Sequence, residues 1–255
     1  MNLRGRTALV TGAAHRVGKA IALALAREGA SVVVHYGGSA DEAEATAAEI
    51  RALGVEAWPI GADLADPEQI AALFEAVRGQ VGRLDVLVNS AAGFKKQSLA
   101  RIGVADWDAA MAVNLRAPFL CIQHAAPLLR ASDRPAEVPG LVVNLCDLSG
   151  VYPWQGYVQH GVSKAGLLHL TRIAARELAP DVRVNALLPG AILPPPGVDP
   201  EGELWREIGS RNPLGRPGNP ELIGQAVVFL AQNDYITGAA LPVDGGEHLV
   251  GPINH

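Results

Sequence analysis

In GYVQHGVSKAGL, residues 156–167, His160 and Lys164 stand four positions apart. On a helix that interval puts both side chains on one face, so a ring that changes charge near neutral pH lies beside a fixed ammonium. Proton transfer is the chemistry such a pair can perform. A second stretch, TGAAHRVG at residues 11–18, places Gly12, His15, Arg16, Val17 and Gly18 where the apolar run TALV gives way to an amphipathic segment. A turn there presents N–H groups and a positive helix end, which attract a pyrophosphate. Gly12 and Gly18 permit that turn sterically.

The elements that must hold these residues alternate along the chain. Short apolar runs such as TALVTG, SVVVHY, LDVLVNSAAG, GLVVNLCDLSG and VRVNALLPG are separated by segments of helical period, among them DEAEATAAEIRALG and PEQIAALFEAVRGQVG. The spacing predicts one long helix over WDAAMAVNLRAPFLCIQHAAPLLR and another from Tyr157 to Leu178. Strands alternating with helices of this length give right-handed crossovers and a parallel sheet covered on both faces, an α/β doubly wound fold. Ligands of such sheets sit at the carboxyl ends of the strands, where the strand order reverses. Residues 1–255 are expected to form one dinucleotide-binding domain. The rhythm breaks between Pro189 and Pro220, where proline and glycine leave room for at most one short helix. That segment, 190–220, reads as a substrate lid or as a solvated connector.

With 49% hydrophobic and 18% charged residues the chain is globular. A net charge of −5 and the lack of any Lys/Arg-rich run argue against a nucleic-acid partner and for a small-molecule substrate. No apolar run reaches membrane-spanning length, so a soluble, cytoplasmic protein is expected. Cys121 and Cys146 have neither disulfide nor metal-ligand spacing, and no metal is expected. Cys146, His124 and His169 read as packed or partly exposed side chains, Trp154 and Trp205 as pocket or core residues, and His248 and His255 carry no readable chemistry.

Taken together, the motifs resemble those of the short-chain dehydrogenase/reductase family, whose fold is of the Rossmann type. Its fingerprint TGxxxGxG is matched by Thr11, Gly12 and Gly18, with Arg16 at the middle glycine, as in the family's pteridine reductase branch. Asp63 and Leu64 in GADL, Asn89 in VNSAAG, Asn114 in VNLRAPF, Pro189 and Gly190 in LLPG, and ITGAALPVDGG follow in family order. The resemblance implies that these residues, with Val17 and Lys164, line the cofactor. An NAD enzyme would place an acid at the end of the second strand, yet here that strand ends His35, Tyr36, Gly37, Gly38, Ser39. NADPH is therefore the expected cofactor, its 2′-phosphate between Arg16, His35 and Ser39.

In this family a tyrosine serves as the proton donor and a lysine one turn later lowers its pKa and holds the nicotinamide ribose. Lys164 fits that lysine, and His160 occupies the tyrosine position. Asp147 falls where the family carries serine and the pteridine reductases carry aspartate. That branch also matches Gly156 and Tyr157, and it uses an aromatic at Phe94 to stack a pterin ring. The resemblance thus implies hydride transfer from NADPH to a C=N or C=O of a pterin-like or other carbonyl compound. Asn114 and Lys164 would order the ribose and a relay water, while Asp147, His160, Phe94 and Tyr157 would serve the substrate. Two readings of His160 stay open: an acid oriented by Asp147, or a filler in a protein that binds NADPH or a pterin without turnover. A general carbonyl reductase that does not act on pterins is a further alternative. Family practice implies a homotetramer.

Overall fold

Valine-rich runs form the strands of the computed structural model, which describes residues 1–130, 138–194 and 197–250. These are β1 (Thr7–Val10), β2 (Ser31–Tyr36), β3 (Ala57–Gly61), β4 (Val86–Asn89), β5 (Gly140–Leu145), β6 (Val182–Pro189) and β7 (Ala240–Val243). All pair in parallel, in the order β3-β2-β1-β4-β5-β6-β7. Alternate positions serve opposite faces. Val10, Val34, Val88 and Val143 join one apolar cluster, whereas Leu9, Val33, Leu87 and Val142 join another.

The first cluster is closed by α1 (Arg16–Arg27), α2 (Ala40–Ala52) and, late in the chain, α8 (Pro220–Gln232). The second is closed by α3 (Pro67–Gln80), α5 (Ala117–Arg130) and α6 (Val158–Leu178). α4 (Val104–Met111), α7 (Glu203–Ser210) and the short α9 (Glu247–Val250) complete the helices. The chain runs from β1 outward to β3 and then returns to place β4 on the other side of β1. That reversal opens a crevice at the carboxyl ends of β1 and β4, which is where a doubly wound sheet holds its ligand.

The expected long helix over residues 107–130 is broken. α4 ends at Met111, a π-helical turn runs over Ala112–Arg116, and α5 begins at Ala117. Pro118 explains part of this, because it lacks the N–H that an unbroken α-helix would donate to the Asn114 carbonyl. The widened turn sits at the candidate site. Among the described residues of the Pro189–Pro220 segment the one helix is the short α7, within the expectation of at most one; Pro195 and Pro196 lie outside the described residues, as does His255.

Candidate active site

His160 enters the site from the first turn of α6, which begins two residues earlier, on the helix face that also carries buried Ser163 and Lys164. Asp147 follows β5 and caps the short 3-10 turn Leu148–Gly150, its Oδ1 accepting from the Ser149 N–H (2.9 Å) and hydroxyl (2.5 Å). Its Oδ2 lies 2.5 Å from His160 Nε2. On the other side of the ring, His160 Nδ1 faces the Gly93 carbonyl oxygen at 3.0 Å. Asn114 Nδ2 is also near, at 3.3 Å, but its two hydrogens point to closer acceptors, the Gly93 carbonyl (3.0 Å) and Ser163 Oγ (3.1 Å).

With hydrogen on Nδ1 the ring donates to the Gly93 carbonyl, and a proton on Nε2 would be shared with the Asp147 carboxylate. A pair so protonated holds one proton more than a neutral histidine beside a carboxylate would. Burial pushes the Asp147 carboxyl up, but the His160 hydrogen bond and the Lys164 charge prevail and hold it below the usual carboxylate value. One helical turn on, Lys164 is buried and donates from Nζ to the Leu145 carbonyl at 2.6 Å.

Asp147, His160 and Lys164 open onto a cleft of about 250 Å³ that is also lined by Val17, Phe94, Trp154, Pro189, Gly190 and Leu193. Tyr157 does not line it. Its ring stacks on Phe94 at 4.6 Å, and burial raises its phenol, so it supports the aromatic wall and makes a poor acid. Phe94 also meets the His160 ring edge-on at 4.7 Å. Trp154 is thus a cleft residue, whereas Trp205 is buried in α7 and absent from that lining.

The cofactor turn fits a dinucleotide. A Cβ on Gly18 would stand 2.1 Å from the Gly12 carbonyl oxygen, and one on Gly12 would stand 3.1 Å from Ala91 Cα, so only glycine allows this close path. Arg16, at the family's middle glycine, keeps the glycine conformation with φ +56, the only non-glycine residue among those described to do so. His15 and Arg16 are exposed at the start of α1. Ser39 precedes α2 and makes no capping bond with its side chain. Asp63 holds a local turn by accepting from the Ala65 N–H at 2.8 Å, and Leu64 beside it is buried.

Three of the expected site residues have their side chains bonded within the protein. His35 cannot hold a phosphate: it is buried, its Nδ1 accepts from the Gly12 N–H at 3.1 Å, and its Nε2 donates to the Ala62 carbonyl at 3.1 Å. It staples the turn instead. Asn89 is sealed inside the sheet, donating to Asn144, which donates to Thr171. The Asn114 amide accepts from the Gly93 N–H and donates to the Gly93 carbonyl and Ser163 Oγ, which places it against the same Gly93 carbonyl that faces His160. Gly93 and Ser149 were invisible in the sequence, because a backbone carbonyl leaves no residue signature and the serine's partner appears only once β5 has turned. Cys146 is confirmed as a buried thiol, pushed up to about 12 by burial; His124 stacks on Phe74, and His169 is exposed.

His35 also predicts an acid-side weakness. Burial lowers its pKa from 6.5 to about 4, so below neutrality the unfolded chain takes up a proton that the folded chain refuses. Stability therefore falls as pH drops through that window, by up to about 3 kcal/mol at its acid end. His35→Asn retains an acceptor for Gly12 but cannot titrate, and should lose that slope. Urea unfolding of both proteins across this range is the check, and parallel slopes would refute the assignment.

A parallel sheet with a glycine turn on its first strand, and Asp147, His160 and Lys164 gathered in one cleft, defines a dinucleotide-binding α/β protein. The family described as enoyl-(acyl carrier protein) reductase matches residues 12–248. The 3-oxoacyl-(acyl-carrier-protein) reductase FabG of Staphylococcus aureus (strain Mu50) is 39% identical over 248 residues, covering 96% of this chain and 98% of the relative. Two solved structures are similar throughout. A blue fluorescent protein from a metagenomic library, in complex with NADPH, has a TM-score of 0.87 and 34% identity over 97% of this chain and 99% of its own. The angucycline C-6 ketoreductase LanV with bound NADP has a TM-score of 0.87 and 32% identity over 97% of both chains. The chain belongs to the short-chain dehydrogenase/reductase family and is an oxidoreductase.

Proposed function

We propose that this protein is an NADPH-dependent reductase of a C=O or C=N carbon in a flat, pterin-like ring, with Asp147, His160 and Lys164 in place of serine, tyrosine and lysine. The observation that carries the reading is the 2.5 Å contact between Asp147 Oδ2 and His160 Nε2 in the lining of a cleft that Phe94 and Trp154 also line. Bound NADPH supplies the hydride. The Gly12–Gly18 turn and Arg16 hold its phosphates, with Ser39 beside them; Asp63 and Leu64 meet the adenine; Lys164 holds the nicotinamide ribose. Asn114 keeps Gly93 in place, and Gly93 keeps His160 in the orientation that faces Asp147. The pair then delivers its proton to the substrate oxygen or nitrogen as charge develops there. Gly190, Ile192 and Leu193, at the start of the proline-rich segment, line the cleft, which supports reading that segment as a lid.

NADPH oxidation with dihydrobiopterin, a planar cyclic ketone and an acetoacetyl thioester tests the reading. Faster turnover of the ring compounds is expected. The FabG relative favours a second reading, reduction of a 3-oxoacyl group, which wins if the thioester is preferred. NADPH binding with no turnover of any of the three supports the non-catalytic reading. We further take the protein to be a cytoplasmic homotetramer, joined through the exposed apolar residues Phe119 on α5 and Val162 and Ile173 on α6. Among the described residues no helix is long and apolar enough to cross a membrane.

Arg16 offers a test with opposite signs. Its left-handed backbone costs about 1 kcal/mol, while its guanidinium supplies a charge-assisted contact to the 2′-phosphate. Arg16→Gly should therefore raise the melting temperature yet erase a preference for NADPH over NADH of about tenfold or more. Calorimetric titration with both nucleotides reads the second effect, and equal affinities in the parent protein would sink the idea.

A further inference from the structure

Outside the cleft, the chain builds a basic groove of about 1040 Å³ from Lys96, Gln97, Ser98, Leu99 and Arg101 on one side and Trp154, Gln155, Gly156 and Val158 on the other. Trp154 lines both this groove and the cleft, so the two adjoin. The groove lining contains two cations and no acid, in a protein whose net charge is −5.

The placement of Lys96 is strongly specified. Its main chain is held from both sides: Gln159 Nε2 donates to the Lys95 carbonyl at 3.0 Å, and the Gln97 N–H donates to the Gly156 carbonyl at 2.8 Å, within a parallel bridge between Gln97 and Tyr157. The neighbouring loop is fixed by Asp106, which accepts from Lys95 (2.7 Å) and Gln97 (2.9 Å). Gly156, with φ +83, leaves room for the lysine stem, since a Cβ there would lie 3.3 Å from Lys96 Cγ and Cε. The ammonium then stands 5.6 Å from the centre of the Tyr157 ring, which itself stacks on Phe94 of the cleft wall. A cation is thus held behind the aromatic wall of the cleft, on the side where Trp154 borders both cavities.

We propose that this groove binds an anionic arm of the substrate, a carboxylate or a phosphate, with Lys96 and Arg101 as its specificity-determining residues. This rests on the reductase reading and narrows it: the substrate is a two-part molecule, with a reducible carbon in the cleft and negative charge in the groove. Such charges add to recognition and association in a salt-dependent way.

The test is calorimetry on the NADPH complex, which needs no turnover. The probes are a planar tetralone bearing a carboxylate and its methyl ester, followed by a 3-oxoacyl thioester on a phosphopantetheine arm and the same acyl group on uncharged N-acetylcysteamine. Within each pair the anionic member should bind about tenfold tighter at low salt. The pair with the larger gap identifies the anion as a ring carboxylate or an arm phosphate. In Lys96→Gln, and more so in Lys96→Glu, the ratio should collapse toward one, the neutral member serving as the internal reference. Equal affinities within both pairs, or a ratio that survives both substitutions, would overturn the groove while leaving the reductase reading intact. Failure of all four probes to bind beside NADPH would overturn both.

Discussion

Replacing His160 by alanine is expected to slow reduction by about 10²-fold or more, the scale of general acid catalysis. The reason is structural: with the ring gone, neither Asp147 nor the Gly93 carbonyl can supply a proton, because each is an acceptor once the imidazole is removed. Activity in the parent should be highest at low pH and fall as pH rises, since reduction consumes the shared proton and only the protonated pair can give it. His160→Tyr should retain turnover and move that fall to more alkaline pH, because a phenol holds its proton to about pH 10 in water. Rates for the three proteins between about pH 5 and pH 9 decide the matter. An alanine variant as fast as the parent makes His160 a filler, and a tyrosine variant that alone turns over makes the parent a binding protein.

Much of this arrangement could be read before any coordinates. The strands were legible because valine runs and the helical period do not overlap, and the order of the motifs carried the fold. His160 and Lys164 were legible because a four-residue interval on a helix has only one geometric meaning. The roles of His35 and Asn89 were not. Each stands where the family's pattern suggests a cofactor contact, but pattern cannot say whether a polar side chain at a strand end turns outward to a phosphate or inward to a backbone group. A buried polar group must find partners, and here they came from Ala62, Gly12 and Asn144, residues distant in sequence. The break at Asn114 was legible in principle from Pro118, although helical periodicity alone runs straight through it.

Asp147→Asn is expected to give a comparably large loss, about 10²-fold or more, without loss of stability. An asparagine fills the same space and can still accept from Ser149 through Oδ1, while its NH₂ group turns to His160 Nε2. That nitrogen then accepts, the ring becomes a neutral imidazole donating from Nδ1 to Gly93, and the hydrogen bond between residues 147 and 160 is retained with its direction reversed. What disappears is the extra proton. The melting temperature should therefore stay near the parent value, which separates a chemical role from a structural one. The double variant Asp147→Asn/His160→Ala should be no slower than the slower single, because two groups that share one proton act as a unit and their losses do not multiply. Independent roles would instead give a loss near the product of the two, on the order of 10⁴. A double-mutant cycle on kcat/KM, paired with thermal melts, measures both quantities. Multiplicative losses would dissolve the pair into two unrelated residues, and a collapsed melting temperature in Asp147→Asn would assign Asp147 to holding the turn after β5.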